Sequence, residues 1–201
     1  MRKIVVFMMI SLDGVMQAPG GKEEDTSGGF KYGGWTAAFS DESFGDILSK
    51  ELSVPFDLLL GKKTYDTWKA YWPSKTGMVA DPFNKAKKYV VSSSDGDFSW
   101  KESVHISGDV VANIKALKEE DSPVFHVWGS SVLVQTLLKN DLVDELRLRI
   151  YPLTLGSGKR LFGEGTIPAA FKLIDSQALP SGVILANYER SGDIKTGNVG
   201  E

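Results

Sequence analysis

With no cysteine and only two histidines, this chain has to build its chemistry from glycine turns, hydroxyls, lysines and carboxylates. The most suggestive stretch runs from Val124 to Leu138. An apolar run, Val-Phe-His-Val-Trp, passes through Gly129-Ser130-Ser131 into a segment whose Leu133, Val134, Leu137 and Leu138 share one helical face. That pattern predicts strand, tight turn, helix. A glycine there lets another molecule's backbone or phosphate come close, and Ser130 and Ser131 can cap the helix with its first N–H groups pointing outward, which suits an anion. A plain strand-to-helix connection with an ordinary serine cap would leave the same signature. Gly61-Lys62-Lys63-Thr64, after a strand expected at Phe56 to Leu60, repeats the pattern.

Other residues with chemical potential are scattered. Asp41 and Glu42 fall in the first turn of a helix, where acids simply favour the dipole, while Asp46 stands beside apolar Ile47 and Leu48 at the margin of that helix's buried stripe. His105 and His126 lie within strands and read as hydrogen-bonded structural residues, so neither is given a catalytic or metal role. Trp68, Tyr71 and Trp72 follow a helical repeat and read as core or groove wall. Trp35 closes a glycine-rich stretch, placed either to stack on a planar heterocycle or to anchor its own loop.

These residues have to be positioned by the elements around them. Ile4 to Ile10 is too short for a helix and continuously apolar, which predicts a strand covered on both faces, ending at Ser11-Leu12-Asp13-Gly14. Gln17 to Trp35 has many glycines and no periodicity, the pattern of a flap over a cleft. Ser40 is the expected cap of a helix with Phe44, Ile47, Leu48 and Leu52 inward, and strands are expected at Phe56 to Leu60, Tyr89 to Val91 and Val104 to Ile106. A helix follows with Val110, Val111, Ile114 and Leu117 inward. Asp144 to Ile150 alternates Leu146, Leu148 and Ile150 with Glu145, Arg147 and Arg149, and reads as a half-exposed strand. Leu155 to Gly163 is a glycine-rich basic loop, and Phe171 to Leu179 with Val183 to Arg190 forms a hairpin across Pro180-Ser181-Gly182. Alternating strands and helices argue for a mostly parallel, doubly wound α/β sheet with an antiparallel C-terminal hairpin.

Composition narrows the field. The chain has 201 residues, 42% hydrophobic and 24% charged, as expected of one globular domain. A net charge of −3 and a pI near 5.5 offer phosphate backbones no general attraction, so nucleic acid is not an expected partner. Absence of cysteine fits a reducing compartment, and the first apolar run is too short to span a bilayer, so a cytoplasmic protein with no membrane partner is expected.

In order and spacing these segments resemble the dihydrofolate reductase fold, and more closely the reductase domain at the C-terminal end of bifunctional riboflavin-biosynthesis deaminase-reductases. The resemblance rests on Ser11-Leu12-Asp13-Gly14, Leu60-Gly61-Lys62-Lys63-Thr64-Tyr65, Val91-Ser92-Ser93, Val127-Trp128-Gly129-Ser130-Ser131, and Pro152-Leu153-Thr154-Leu155-Gly156-Ser157-Gly158 with Leu161-Phe162. It implies a single reductase domain over residues 1–190, and the polar segment 191–201 reads as a tail. It implies NADPH across the C-terminal ends of the strands. Gly61, Lys62, Lys63 and Thr64 would lie under the adenosine side, the lysines meeting a 2′-phosphate with Ser92 and Ser93, and Thr64 capping its helix. Gly129, Ser130, Ser131 and Val132 would receive the pyrophosphate, and Asp13, Gly14 and Met16 would line the nicotinamide end. The usual motif has arginine after the glycine; Lys62 keeps the charge without the bidentate fork.

In dihydrofolate reductase a carboxylate on the first helix holds the pterin. Asp46 falls nearest that position, one residue out of register, with Asp41 and Glu42 as competitors, so Asp46 is the expected catalytic and substrate-binding carboxylate, with Trp35 beside the substrate. The activity expected from the resemblance is NADPH-dependent reduction of a ribosylated aminopyrimidine, 5-amino-6-(5-phosphoribosylamino)uracil being the type. A pterin reductase, a non-catalytic nucleotide-binding module and a flavin-binding protein are the alternatives. With no Cys and no His-x-Glu motif the chain lacks a zinc-deaminase half, so a stand-alone reductase is expected. Because related domains commonly pair, a homodimer is expected, using the Asp144 to Ile150 edge or the hairpin.

Overall fold

The computed structural model describes residues 1–200, apart from the side chain of Glu42. β1 (Ile4–Ser11) is apolar almost throughout and lies in the middle of an eight-stranded sheet. The chain continues through α1 (Glu42–Leu52), β2 (Phe56–Gly61), α2 (Lys62–Tyr71), α3 (Ala80–Lys85), β3 (Lys88–Val91) and β4 (Ser103–Ile106). It then forms α4 (Val110–Lys118), β5 (Val124–Trp128), α5 (Ser131–Lys139), β6 (Glu145–Tyr151), β7 (Ala170–Ala178) and β8 (Ile184–Gly192). The strand order is β4-β3-β2-β5-β1-β6-β8-β7. β1 to β6 pair in parallel, whereas β8 runs antiparallel to both β6 and β7. The expected α/β architecture with its antiparallel C-terminal hairpin is therefore observed.

Both faces are covered because β1 is apolar on both. Ile4, Val6 and Met8 join Phe125, Val127, Leu146 and Leu148 under α4 and α5, which contribute Ile114, Leu133, Val134 and Leu137. On the other face Phe56, Leu58, Leu60 and Val90 pack against Tyr65 of α2 and Phe83 of α3. A third cluster ties Val15, Phe30 and Trp35 to Tyr151 and Leu185, with Phe44 and Ile47 of α1 packed on it. The glycine-rich stretch is thereby anchored by its aromatic residues, which bury apolar area that a free flap would leave in water.

Three expectations are corrected. Asp41, not Ser40, caps α1, since its carboxylate accepts from the Ser43 N–H at 2.9 Å. β6 is not a half-exposed edge: it pairs with β1 on one side and β8 on the other, and Glu145 and Arg149 are only 8% and 3% exposed. The charged side of β6 is covered by α1, whose Glu51 meets Arg149 at 2.5 Å and Arg147 at 3.4 Å. Finally, β8 runs two residues into the expected tail, to Gly192.

Candidate functional site

β2 and β5 are neighbours in the sheet, but the helices that follow them pack on opposite faces, α2 with Tyr65 on one and α5 with Leu133 on the other. Such a reversal opens a crevice outside the carboxyl ends of the strands. A cleft of about 750 Å³ lies there, within the range of small-molecule sites. Of the residues singled out for a cofactor, Met16, Gly61, Lys62, Lys63, Thr64, Ser92, Ser93, Gly129, Ser130, Ser131 and Val132 line it.

The two turns at its base are locked together. The Gly61 N–H donates to Ser130 Oγ at 3.0 Å, and the Ser130 N–H donates to Thr64 Oγ1 at 2.9 Å. Ser130 reaches this position in the left-handed region, φ 52°, a strained conformation for a residue with a side chain that the reciprocal bonds hold in place. Gly129 precedes it at φ 54°, and a Cβ there would approach Thr64 Oγ1 to 3.2 Å, so both conformation and space favour glycine. The Thr64 and Ser130 hydroxyls, expected to cap α2 and α5, are thus engaged with the neighbouring turn. Gly61 and Ser130 occupy the N-cap positions without a side-chain cap, so two helix N-termini present open N–H groups side by side at the cleft.

Lys62 and Lys63 do not converge. Lys62 Nζ lies 2.7 Å from Asp66 and 5.6 Å from the Phe98 ring, on the side of the Ser92 to Ser94 turn. Lys63 turns the other way, to the glycine-rich stretch, where its Nζ is 2.6 Å from Asp25. Asp25 also receives Lys159 Nζ at 2.6 Å, from the basic loop after β6. Burial would raise the Asp25 carboxyl, but the Lys159 and Lys63 ammonium groups outweigh it and hold it well below the usual carboxylate range. Asp25 and Lys159 both line the cleft and were not singled out from sequence. Asp25 sits in a stretch without periodicity, and Lys159 in a loop whose basic character was the only signal.

Four other residues lie elsewhere. The Asp13 carboxylate accepts from Ser11 Oγ at 2.5 Å and from the Leu155 and Gly156 N–H groups at 3.1 and 2.8 Å. These bonds, the Ser11 hydroxyl foremost, lower its pKa to about 2. Asp13 therefore pins the Leu155-Gly156 loop to the end of β1, while Gly14 supplies the positive φ of 78° at that turn. Trp35 is 8% exposed, with its Nε1–H on Gln17 O at 2.8 Å and its edge on Tyr151, which makes it the anchor of its loop. Asp46 is exposed on α1 and does not line the cleft. Of its competitors, Asp41 is the helix cap and the Glu42 side chain lies outside the described residues. Among the described residues no group of three or more His, Asp or Glu side chains is placed to hold a metal ion, and no helix is long and apolar enough to cross a membrane.

The family model of the RibD C-terminal domain matches residues 2–185. The chain belongs to the RibD C-terminal domain family. The sequence is similar to the uncharacterised protein YyaP of Bacillus subtilis, 25% identical over 196 residues that cover 95% of this chain and 96% of the relative. Among solved structures, a pyrimidine reductase-like protein from Corynebacterium diphtheriae superimposes with a TM-score of 0.66 at 15% identity, covering 96% of this chain and 93% of its own. Dihydrofolate reductase from Enterococcus faecalis, complexed with NADP(H), gives 0.57 at 16%, covering 94% and 96%. The fold is thus the dihydrofolate reductase fold.

Proposed function

We propose that this RibD C-terminal domain is an NADPH-dependent reductase of a small planar heterocycle, of the ribosylated aminopyrimidine type reduced in riboflavin synthesis. The observation that carries the reading is the pair of uncapped helix N-termini, locked edge to edge at a cleft that also holds Lys62, Lys63 and Lys159. Aligned N–H dipoles and ammonium groups fit a ligand with several phosphates. The likeness to a pyrimidine reductase-like protein and to a dihydrofolate reductase complexed with NADP(H) supports the same choice.

In this reading the Gly129, Ser131 and Val132 N–H groups around the start of α5 hold the pyrophosphate, while the Ser130 N–H stays on Thr64 Oγ1, and Gly61 and Thr64 keep α2 in place beside it. Lys62 with Ser92 and Ser93 meets the 2′-phosphate, and Met16 lies toward the reacting end. NADPH, when bound, supplies the hydride. The protein's part is to hold charge, fix orientation and exclude water, which the stretch around Gln17 and Asp25 does by covering one side of the cleft. Asp46, exposed and away from the cleft, receives no role in this scheme.

The experiment is a titration with NADPH and with NADH. Charge-assisted contacts to a phosphate are worth about 1.5 to 3 kcal/mol each, so at least about tenfold tighter binding of NADPH is expected. Lys62→Ala should remove most of that difference and leave NADH binding nearly unchanged. Equal affinities in the unmodified protein would overturn the assignment. Loss of NADPH absorbance on adding an aminopyrimidine ribotide, and not a dihydropterin, would then fix the substrate class.

A further inference from the structure

Asp25 is an anion that lines the same cleft as Lys62, Lys63 and Lys159. Its carboxylate bridges two ammonium groups that come from separate parts of the chain, Lys63 in the first turn of α2 and Lys159 in the loop after β6, each at 2.6 Å. Its position is set by its own stretch, since Gln17 Nε2 donates to the Asp25 carbonyl at 3.0 Å and the Ser27 hydroxyl to its Oδ1 at 2.6 Å. Gln17 in turn accepts from the Lys159 N–H at 2.9 Å. Two lysines facing each other without that carboxylate would repel, and the pair exists in this geometry because Asp25 neutralises it.

We propose that Asp25 is a specificity-determining residue that acts as a surrogate anion: it occupies the Lys63–Lys159 seat, and a ligand phosphate takes that seat only by displacing it. The inference rests on reading the cleft as a nucleotide site and assigns Lys63 and Lys159, apart from Lys62, to the pyrophosphate, together with the N–H groups at the start of α5. A carboxylate carries one charge and two acceptor oxygens, whereas a pyrophosphate carries more charge over more acceptor oxygens. The exchange therefore favours phosphate over a competing carboxylate, and it couples occupancy of the seat to release of the stretch that Asp25 tethers.

The test compares the unmodified protein with Asp25→Asn, using inorganic pyrophosphate as the probe and calorimetry at fixed ionic strength. Removing the internal competitor should tighten pyrophosphate binding by about tenfold, the scale of one charge-assisted contact. Lys159→Ala should weaken binding, and Asp25→Asn should gain little in the Lys159→Ala background because the seat is already broken. Trypsin cleavage at the exposed Lys22 and Lys31 gives a second readout. Pyrophosphate should accelerate cleavage in the unmodified protein, while Asp25→Asn should be cut quickly with or without it. Unchanged pyrophosphate affinity in Asp25→Asn, or cleavage of the unmodified protein that pyrophosphate does not accelerate, would overturn the exchange. If the probe behaves as expected but neither NADPH nor NADH binds, the reductase reading falls and the anion exchange stands.

Discussion

His126 lies face to face with Phe56, centroids 4.2 Å apart, and against Phe7 at 4.4 Å, with 4% of its surface exposed. Burial, and secondarily the Arg147 charge, lower its pKa from 6.5 to about 3. The folded imidazole thus stays neutral where the unfolded one takes a proton. Between those limits the unfolded state binds more protons, so stability is intact above pH 6.5 and declines as the pH falls toward 3, by up to about 1.4 kcal/mol per pH unit. Urea unfolding at pH 7, 6 and 5 should show this slope, and His126→Phe, which keeps the aromatic stack, should flatten it. An unchanged slope would mean that other groups set the acid limb. That this histidine is structural was available from its apolar strand, but the expected hydrogen bonding is corrected: its buried Nδ1 has no hydrogen-bond partner among the described residues, and aromatic rings hold it instead. Its stacking partners were not, because Phe7 and Phe56 become its neighbours only when β5 enters between β1 and β2. Trp35 makes the same point: its aromatic weight was visible, but the Gln17 carbonyl and Tyr151 that absorb it were not.

At the level of elements, the strands, the helices after glycine turns and the terminal hairpin were legible because each has a local period or a local turn. The charged side of β6 was not, since alternation of charge with apolar residues looks the same whether water or another charged element faces it. Here α1 supplies Glu51, which is hydrogen-bonded to Arg149 at 2.5 Å with side-chain exposures of 8% and 4%. Arg149 also meets Asn187 of β8 at 3.3 Å, so a single residue joins helix and two strands. Breaking a buried pair by removing one charge leaves the other uncompensated and costs about 3 to 5 kcal/mol. Glu51→Gln should therefore lower the melting temperature well beyond the effect of an exposed change such as Asp46→Asn, which should be close to neutral. Equal effects in thermal unfolding would show that α1 is held by its apolar stripe alone. The cleft was half legible for a related reason: glycine turns announced where a ligand comes close, while the Asp25 bridge depends on Lys63 and Lys159 being brought together by folding.

For the whole molecule the sheet order decides which edges remain for assembly. β6, once the expected edge, is enclosed, so the free edges are β4 and β7. β4 has four residues, too few to present a long row of unpaired groups, whereas β7 has nine and is exposed from Lys172 to Ala178. Leu173 and Ile174 on β7 are 48% and 49% exposed, and Ile184 on the adjacent β8 is 43% exposed. An exposed edge with apolar side chains on it is a template for pairing with a second chain unless charge, proline or a bulge blocks it. β7 has register shifts between Ala170 and Phe171 and between Leu173 and Asp175, which bend its first half but leave it regular from Asp175 to Ala178. The expected outcome is a homodimer joined at β7, seen in light scattering at micromolar concentration as twice the chain mass of 22.0 kDa, that is 44.0 kDa. Replacing Leu173→Lys together with Ile174→Lys places like charges at that edge and should return the protein to single chains without loss of NADPH binding, because the cleft lies at β2 and β5, on the far side of β1. A single 22.0 kDa species for the unmodified protein, or a dimer indifferent to the two lysines, would show that the β7 edge is not the joint.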